Sequence, residues 1–287
     1  FSTRRLIRTV AAAFRPQVAL SYMSRATKLT PRGPYVLAAR LGGYYDLKYY
    51  RHADHLVGIT PDLVDYFVRE GWPRERTTLI PNFVEDRPAV PLRRADWQTP
   101  EDAPLVVALG RLHENKAFDT LIAAMAELPK AWLWLAGEGP LRAQLEAQAK
   151  AAGIEERTRF LGWQEDPLSV IAAADVYVVP SRHEPFGSVV LEGWAARRPM
   201  VAAASQGPGW LIRDGETGLL VPIDAPKAMA AAIAGLLADL QRAERLAQQG
   251  RAAIETHFTE AATVRHYLAL FRRLAAEREA KRTERSR

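Results

Sequence analysis

Short apolar runs that end near glycine or proline recur along this chain, and the stretches between them repeat their apolar residues every three or four positions. This alternation is the strongest constraint on the fold. Runs of four to seven apolar residues read as strands, the intervening stretches read as helices, and strands alternating with helices make parallel sheets with helices on their faces. In the first part the strands are expected at 18–22 (VALSY), 35–39 (YVLAA), 55–59 (HLVGI) and 77–80 (TTLI), with a helix over 61–71. Residues 85–103 are rich in proline and charge and show no apolar period, so they are expected to be a linker. The alternation then resumes with PLVVALG (104–110), AWLWLAG (131–137), TRFLG (158–162), DVYVVP (175–180), PMVAA (199–203) and GLLV (218–221). Helices are expected over 117–128, 140–152 and from 187. From about 225 onward Ala, Leu, Arg and Glu with helical spacing predict two or three more helices. At 287 residues, two doubly wound sheets of ordinary domain size account for the whole chain.

Several classes fall away on composition. No run reaches the ~18 to 20 apolar residues that a membrane-spanning helix needs, and the absence of cysteine excludes disulfides and thiolate metal sites. Nothing resembles a secretory signal, so a cytoplasmic location is expected. The chain opens on Phe1 within a helical pattern and is expected to be a trimmed or partial sequence. Charge is uneven: residues 1–51 carry ten Lys or Arg against a single acid, Asp46. Such a basic end is either a solubilising bias or a face for anionic phospholipid at the inner side of a membrane; no nucleic-acid module accompanies it, and nucleic acid is not expected as a partner.

Candidate chemistry lies at strand ends of the second sheet, where open parallel sheets bind ligands. Gly110-Arg111-Leu112-His113-Glu114-Asn115-Lys116 sits between a strand and a helix, with two cations able to grip a diphosphate. A P-loop is excluded, because Lys116 is neither preceded by glycine nor followed by Ser or Thr; a solvated loop is the plain alternative. In Pro180-Ser181-Arg182-His183-Glu184-Pro185-Phe186-Gly187-Ser188-Val189-Val190-Leu191-Glu192, Pro185 keeps Glu184 out of a helix and Gly187-Ser188 starts one. One carboxylate is then on a loop and the other about a turn into the helix, with the N–H groups of Gly187, Ser188 and Val189 between them. The pair suits a sugar at one end and a ribose at the other; a cap and a surface charge are the alternative. Gly137-Glu138-Gly139-Pro140 lacks the third glycine of a dinucleotide fingerprint, and Pro140 is read as the first position of a helix.

Taken in order, GRLHENKAFDTLIAA, LAGEGPLRAQLEAQA, RFLGW, AAADVYVVPSRHEPFGSVVLEGWA, RPMVAA and GETGLLVP resemble the second domain of glycosyltransferase family 4, the group 1 retaining enzymes of the GT-B fold. The resemblance covers about 104–260, and EPFGSVVLE is similar to that family's spaced pair of glutamates. GITPDLVDYF followed by LIPNFV looks like the end of its acceptor-side domain. The resemblance implies two Rossmann-like domains facing across a cleft: an incomplete acceptor-side domain at 1–84, the linker 85–103, a nucleotide-sugar domain at 104–260, and a helix crossing back with a charged tail at 261–287. It implies that Arg111 and Lys116 hold the donor diphosphate, Glu184 the sugar hydroxyls and Glu192 the ribose, with backbone donors from Gly187, Ser188 and Val189. Arg111, Lys116 and Glu184 are then the catalytic set. The implied reaction transfers a glycosyl unit from a nucleotide diphosphate sugar to a glycan or glycolipid hydroxyl with retention, with no cofactor and no metal. MSRAT (23–27) and LGGYYDLKYY (41–50) look similar to members of lipopolysaccharide-core or envelope-glycan assembly. A non-catalytic nucleotide-sugar-binding partner and a sugar-nucleotide epimerase are the other classes weighed, the second disfavoured by the glutamate pair. The chain departs from the family in having Ala117 where a glycine usually follows the lysine, Trp210 where a glutamate often stands near the sugar, and Leu41-Gly42-Gly43 where many members carry a histidine. Nearby His52 and His55 are read as helix or strand residues with local partners.

Overall fold

The computed structural model describes residues 3–285. The chain divides into two compact units, one formed by the residues up to Asn82 together with those from Glu260 on, the other by Phe83–Thr259.

In the first unit the chain runs α1 (Thr3–Phe14), β1 (Val18–Tyr22), α2 (Met23–Leu29), β2 (Val36–Leu41), β3 (His55–Gly58), α3 (Pro61–Arg69) and β4 (Thr77–Leu79). Its four strands pair in parallel in the order β1-β2-β3-β4. The start of α3 follows from its sequence, since Pro61 occupies the first turn and the Thr60 hydroxyl accepts the Leu63 N–H at 3.2 Å. The 26-residue helix α11 (Glu260–Arg285) belongs to this unit, with Leu270 and Leu274 buried against Val36, Ala38 and Val57. Their i, i+4 spacing puts both on one face of the helix.

The second unit contains β5 (Leu105–Leu109), α4 (Phe118–Ala126), β6 (Trp132–Ala136), α5 (Arg142–Ala151), β7 (Thr158–Gly162), α6 (Pro167–Ala172), β8 (Val176–Val179), α7 (Ser188–Ala195), β9 (Met200–Ala203), α8 (Gln206–Leu211), β10 (Leu219–Val221), α9 (Pro226–Ala238) and α10 (Leu240–His257). All six strands are parallel, in the order β10-β9-β8-β5-β6-β7. The chain therefore builds outward from β5 in one direction and from β8 in the other. Their carboxyl ends form the switch point, where adjacent connections leave on opposite faces and open a crevice.

Two local expectations change. Pro140 does not open the helix, which starts at Arg142 after Leu141. Residues 85–103 are not a free tether. Trp97 packs on Trp134 with ring centroids 6.3 Å apart, the Trp134 indole donates to the Thr99 hydroxyl at 2.9 Å, and Arg94 donates to the carbonyls of Ala103 and Ala173 at 2.9 and 2.8 Å. The segment lacks apolar periodicity because a few anchors, rather than a repeating face, hold it to the second unit. Helices α2, α6 and α8 were not expected from the sequence; α8 contains Gly207-Pro208-Gly209, residues that usually punctuate helices.

Candidate active site

At the switch point, the loop after β5 and the loop after β8 carry the residues singled out by their spacing. Gly110 has φ +149°, and the Lys116 methylenes lie 3.2 to 3.3 Å from the place of a Cβ there, so glycine lets the lysine fold back over the strand end. Lys116 Nζ meets Glu184 Oε2 at 2.5 Å across the crevice. Both side chains are largely withdrawn from solvent, at 21% and 14% exposure, so this is a sheltered ion pair rather than a surface contact. The other Glu184 oxygen accepts the Gly187 N–H at 3.3 Å. Of the three backbone donors expected at the start of α7, Gly187 is thus engaged by Glu184. Ser188 is exposed, and Val189 lines the neighbouring cavity.

That cavity, about 590 Å³, is walled by Gly110, Gly137, Trp163, Pro167 and Val189, with Arg111 and Glu192 also on its lining. Burial pushes the Glu192 carboxyl above its usual range; Lys116 opposes that shift and Glu184 adds to it. Among the described residues Arg111 forms no hydrogen bond or ion pair and is exposed, which leaves its guanidinium to an incoming anion. Glu138, from the weaker glycine-containing segment, also lines the cavity and holds Arg142 at 3.1 Å. One end of the site therefore offers a paired cation and carboxylate, and the other offers an open cation and a half-buried carboxylate. A polyhydroxylated, diphosphate-bearing ligand matches this arrangement, because hydroxyls satisfy carboxylates and phosphate oxygens satisfy cations.

Two departures now have structural accounts. Ala117 takes the left-handed conformation, φ +51°, with its methyl buried, so the backbone shape suited to glycine is retained at a cost in strain. Trp210 packs at a tilt on Phe186 and edge-to-face against Phe258, with centroids 6.0 and 6.3 Å away, and so serves packing behind the Glu184 loop. His55 on β3 and His52, which lies in a turn rather than a helix or strand, are held by the Thr78 hydroxyl at 2.8 Å and the Thr27 carbonyl at 2.7 Å, partners 23 and 25 positions away rather than local ones.

Sequence reasoning missed Arg182. Its guanidinium reaches Glu114, Asp119, Thr120 and Asp224, contacts separated by up to 68 positions that no local pattern announces. It also missed Trp163, an indole 77% exposed at the cavity wall. The RFLGW run contains this residue but says nothing of its exposure.

The family model described as glycosyl transferases group 1 matches residues 90–253. The lipopolysaccharide core biosynthesis glycosyltransferase LpsE of Rhizobium meliloti (strain 1021) is 40% identical over 267 residues, covering 92% of this chain and 78% of LpsE. LpsD of the same organism is 39% identical over 271 residues, covering 94% and 79%. Among solved structures, sucrose-phosphate synthase from Thermosynechococcus elongatus aligns with TM-score 0.83 at 26% identity, covering 96% of this chain and 77% of that one. Anabaena HepE, solved in complex with UDP, aligns with TM-score 0.83 at 20% identity over 93% and 81%. The chain belongs to the group 1 glycosyltransferase family, and its fold class is that of the GT-B glycosyltransferases.

Proposed function

We propose that this glycosyltransferase moves a sugar from a nucleotide diphosphate sugar to a glycan or glycolipid hydroxyl with retention at the anomeric carbon, without a metal, in lipopolysaccharide or other envelope-glycan synthesis. The observation that carries the reading is that Arg111 and Glu192 line one cavity at the switch point while the Lys116–Glu184 ion pair closes beside it, against Gly110 of the cavity wall. As the glycosidic bond breaks, negative charge grows on the leaving phosphate, and cations fixed beforehand stabilise it without reorganising at that moment. Lys116 and Arg111 take that role. Glu184 holds sugar hydroxyls beside the reacting carbon, and its ion pair fixes Lys116 before the donor arrives. Glu192 accepts the ribose hydroxyls.

The likeness to LpsE and LpsD supports the envelope-glycan assignment, and the UDP bound to Anabaena HepE supports a nucleotide donor. The test is a thermal-shift comparison of UDP-, GDP- and ADP-hexoses, because a ligand held only by the folded protein at 100 times its dissociation constant adds ~2.7 kcal/mol to stability. The sugar that raises the melting temperature is then assayed for release of its nucleoside diphosphate, with and without EDTA. No shift with any of them would remove the donor assignment, and activity abolished by EDTA and restored by magnesium or manganese would remove the metal-free mechanism. The basic residues 1–51, with Arg4, Arg5 and Arg8 exposed on α1, further support peripheral contact with anionic membrane. Salt-sensitive sedimentation with anionic vesicles checks this, and equal binding to neutral ones counts against it.

A further inference from the structure

We propose that Arg182 is a positioning residue that holds the strained loop 114–117 in the shape that presents Lys116 to Glu184, a shape that a glycine at position 117 would adopt unaided. The proposal rests on the donor-site reading above.

Ala117 directly follows Lys116, and its left-handed backbone, φ +51° and ψ +37°, brings its Cβ against its own carbonyl oxygen. Such a conformation persists only where the surroundings over-determine it. Arg182 supplies that restraint on both sides of the strained residue. Before it, Nη1 donates to the Glu114 carbonyl at 2.9 Å, the same oxygen that accepts the Ala117 N–H at 3.1 Å. After it, Nη1 and Nη2 grip the Asp119 carboxylate at 2.9 and 2.6 Å, and Nη2 reaches the Thr120 hydroxyl at 3.2 Å. On its remaining side, Nε lies 2.7 Å from Asp224, itself left-handed at φ +55° and hydrogen-bonded to Thr120 at 2.9 Å. A guanidinium has five N–H donors; the four on Nη1 and Nη2 are taken by these hydrogen bonds, and Nε is held against Asp224 as an ion pair. Arg182 is therefore held by Asp119 and Asp224 rather than offered to a phosphate, although it lies two residues from Glu184. It acts through Lys116 instead. The backbone bond from His183 N–H to the Asn115 carbonyl, 3.2 Å, ties the same two loops. Once the guanidinium is lost, Ala117 can relax toward ordinary backbone angles and carry the neighbouring Lys116 away from Glu184.

The test is a double-mutant cycle between Arg182→Ala and Ala117→Gly, repeated with Arg182→Lys, which keeps a cation beside Asp119 and Asp224 should the alanine variant not fold. Turnover is followed as nucleoside diphosphate release from whichever of the UDP-, GDP- and ADP-hexoses the thermal-shift comparison selects. Each Arg182 variant is expected to lose kcat about 5- to 30-fold, the scale of one left-handed L-residue, while donor KM changes less than about threefold. Adding Ala117→Gly is expected to restore most of the loss, and the crystal structure of Arg182→Lys to show Lys116 and Glu184 separated beyond about 4 Å, outside ion-pair range. The proposal is overturned if the double variants are as slow as the single ones, if donor KM carries the loss, or if only the melting temperature falls. A fully active Lys116→Ala would instead remove the donor-site reading, and this proposal with it.

Discussion

Helix α8 offers a matched pair of substitutions that tests how rigidly the Glu184 loop must be held. A Cβ on Gly207 would lie 2.1 Å from the Phe186 carbonyl oxygen and 2.2 Å from its carbon, and 2.8 Å from the Glu184 carbonyl oxygen. Contacts between such atoms are comfortable near 3.5 Å, so Gly207→Ala requires a shift of roughly 1 Å. Swinging a side chain aside cannot relieve the clash, because every atom met is backbone. The Gly207 N–H also donates to the Glu184 carbonyl at 2.7 Å, and Phe186 is buried against Trp210. The displacement thus passes directly to Glu184. Overpacking of this kind costs about 1 to 3 kcal/mol, or a fall in Tm of about 2 to 12 °C for a unit of this size. A misplacement of about 1 Å at a reacting group costs on the order of 100-fold in turnover. Gly209, two residues on in the same helix, has nothing nearer to its Cβ position than Ala204 at 3.8 Å. There alanine should add about 0.5 to 1 kcal/mol by limiting the unfolded chain. Differential scanning calorimetry and nucleoside diphosphate release on both variants decide the matter. Wild-type turnover in Gly207→Ala, or an equal loss in Gly209→Ala, would refute the reasoning.

Two other expectations concern charge. Lys116→Ala should lower kcat about 100- to 1000-fold, the scale of one preorganised charge stabiliser, whereas Glu192→Gln should mainly raise donor KM, because a ribose contact is equal in ground and transition states. Steady-state kinetics separates the two, and a kcat loss alone in Glu192→Gln would reverse its role. His55 is 2% exposed, and burial, with the Arg273 and Arg76 charges opposed by Glu277, lowers its pKa from 6.5 to about 4. A lowered value means that its stability contribution is complete above about pH 6.5 and is lost as pH falls toward 4, about 3 kcal/mol in all. Urea unfolding at pH 7 and pH 4 should show that loss in the wild type and a smaller one in His55→Gln; equal acid sensitivity in both would discard it.

The sequence alone determined the strands and most of their helical connections, because burial of a parallel sheet on both faces demands apolar runs such as LVVAL and VYVV, which survive any tertiary detail. It also put Lys116 and Glu184 at the carboxyl edge, since strand-end loops place their residues there once the alternation is known, and Glu192 in the first turns of the helix that follows. Only the tertiary structure decided that Lys116 and Glu184 meet at 2.5 Å, that Gly187 donates to Glu184, and that Arg182 closes its five contacts around Ala117. Periodicity reports which face of an element is buried and says nothing of which loop lies opposite another. Pairings across 63 and 42 positions, such as Arg182 with Asp119 and with Asp224, come from strand order, and strand order is fixed by the packing of the whole sheet.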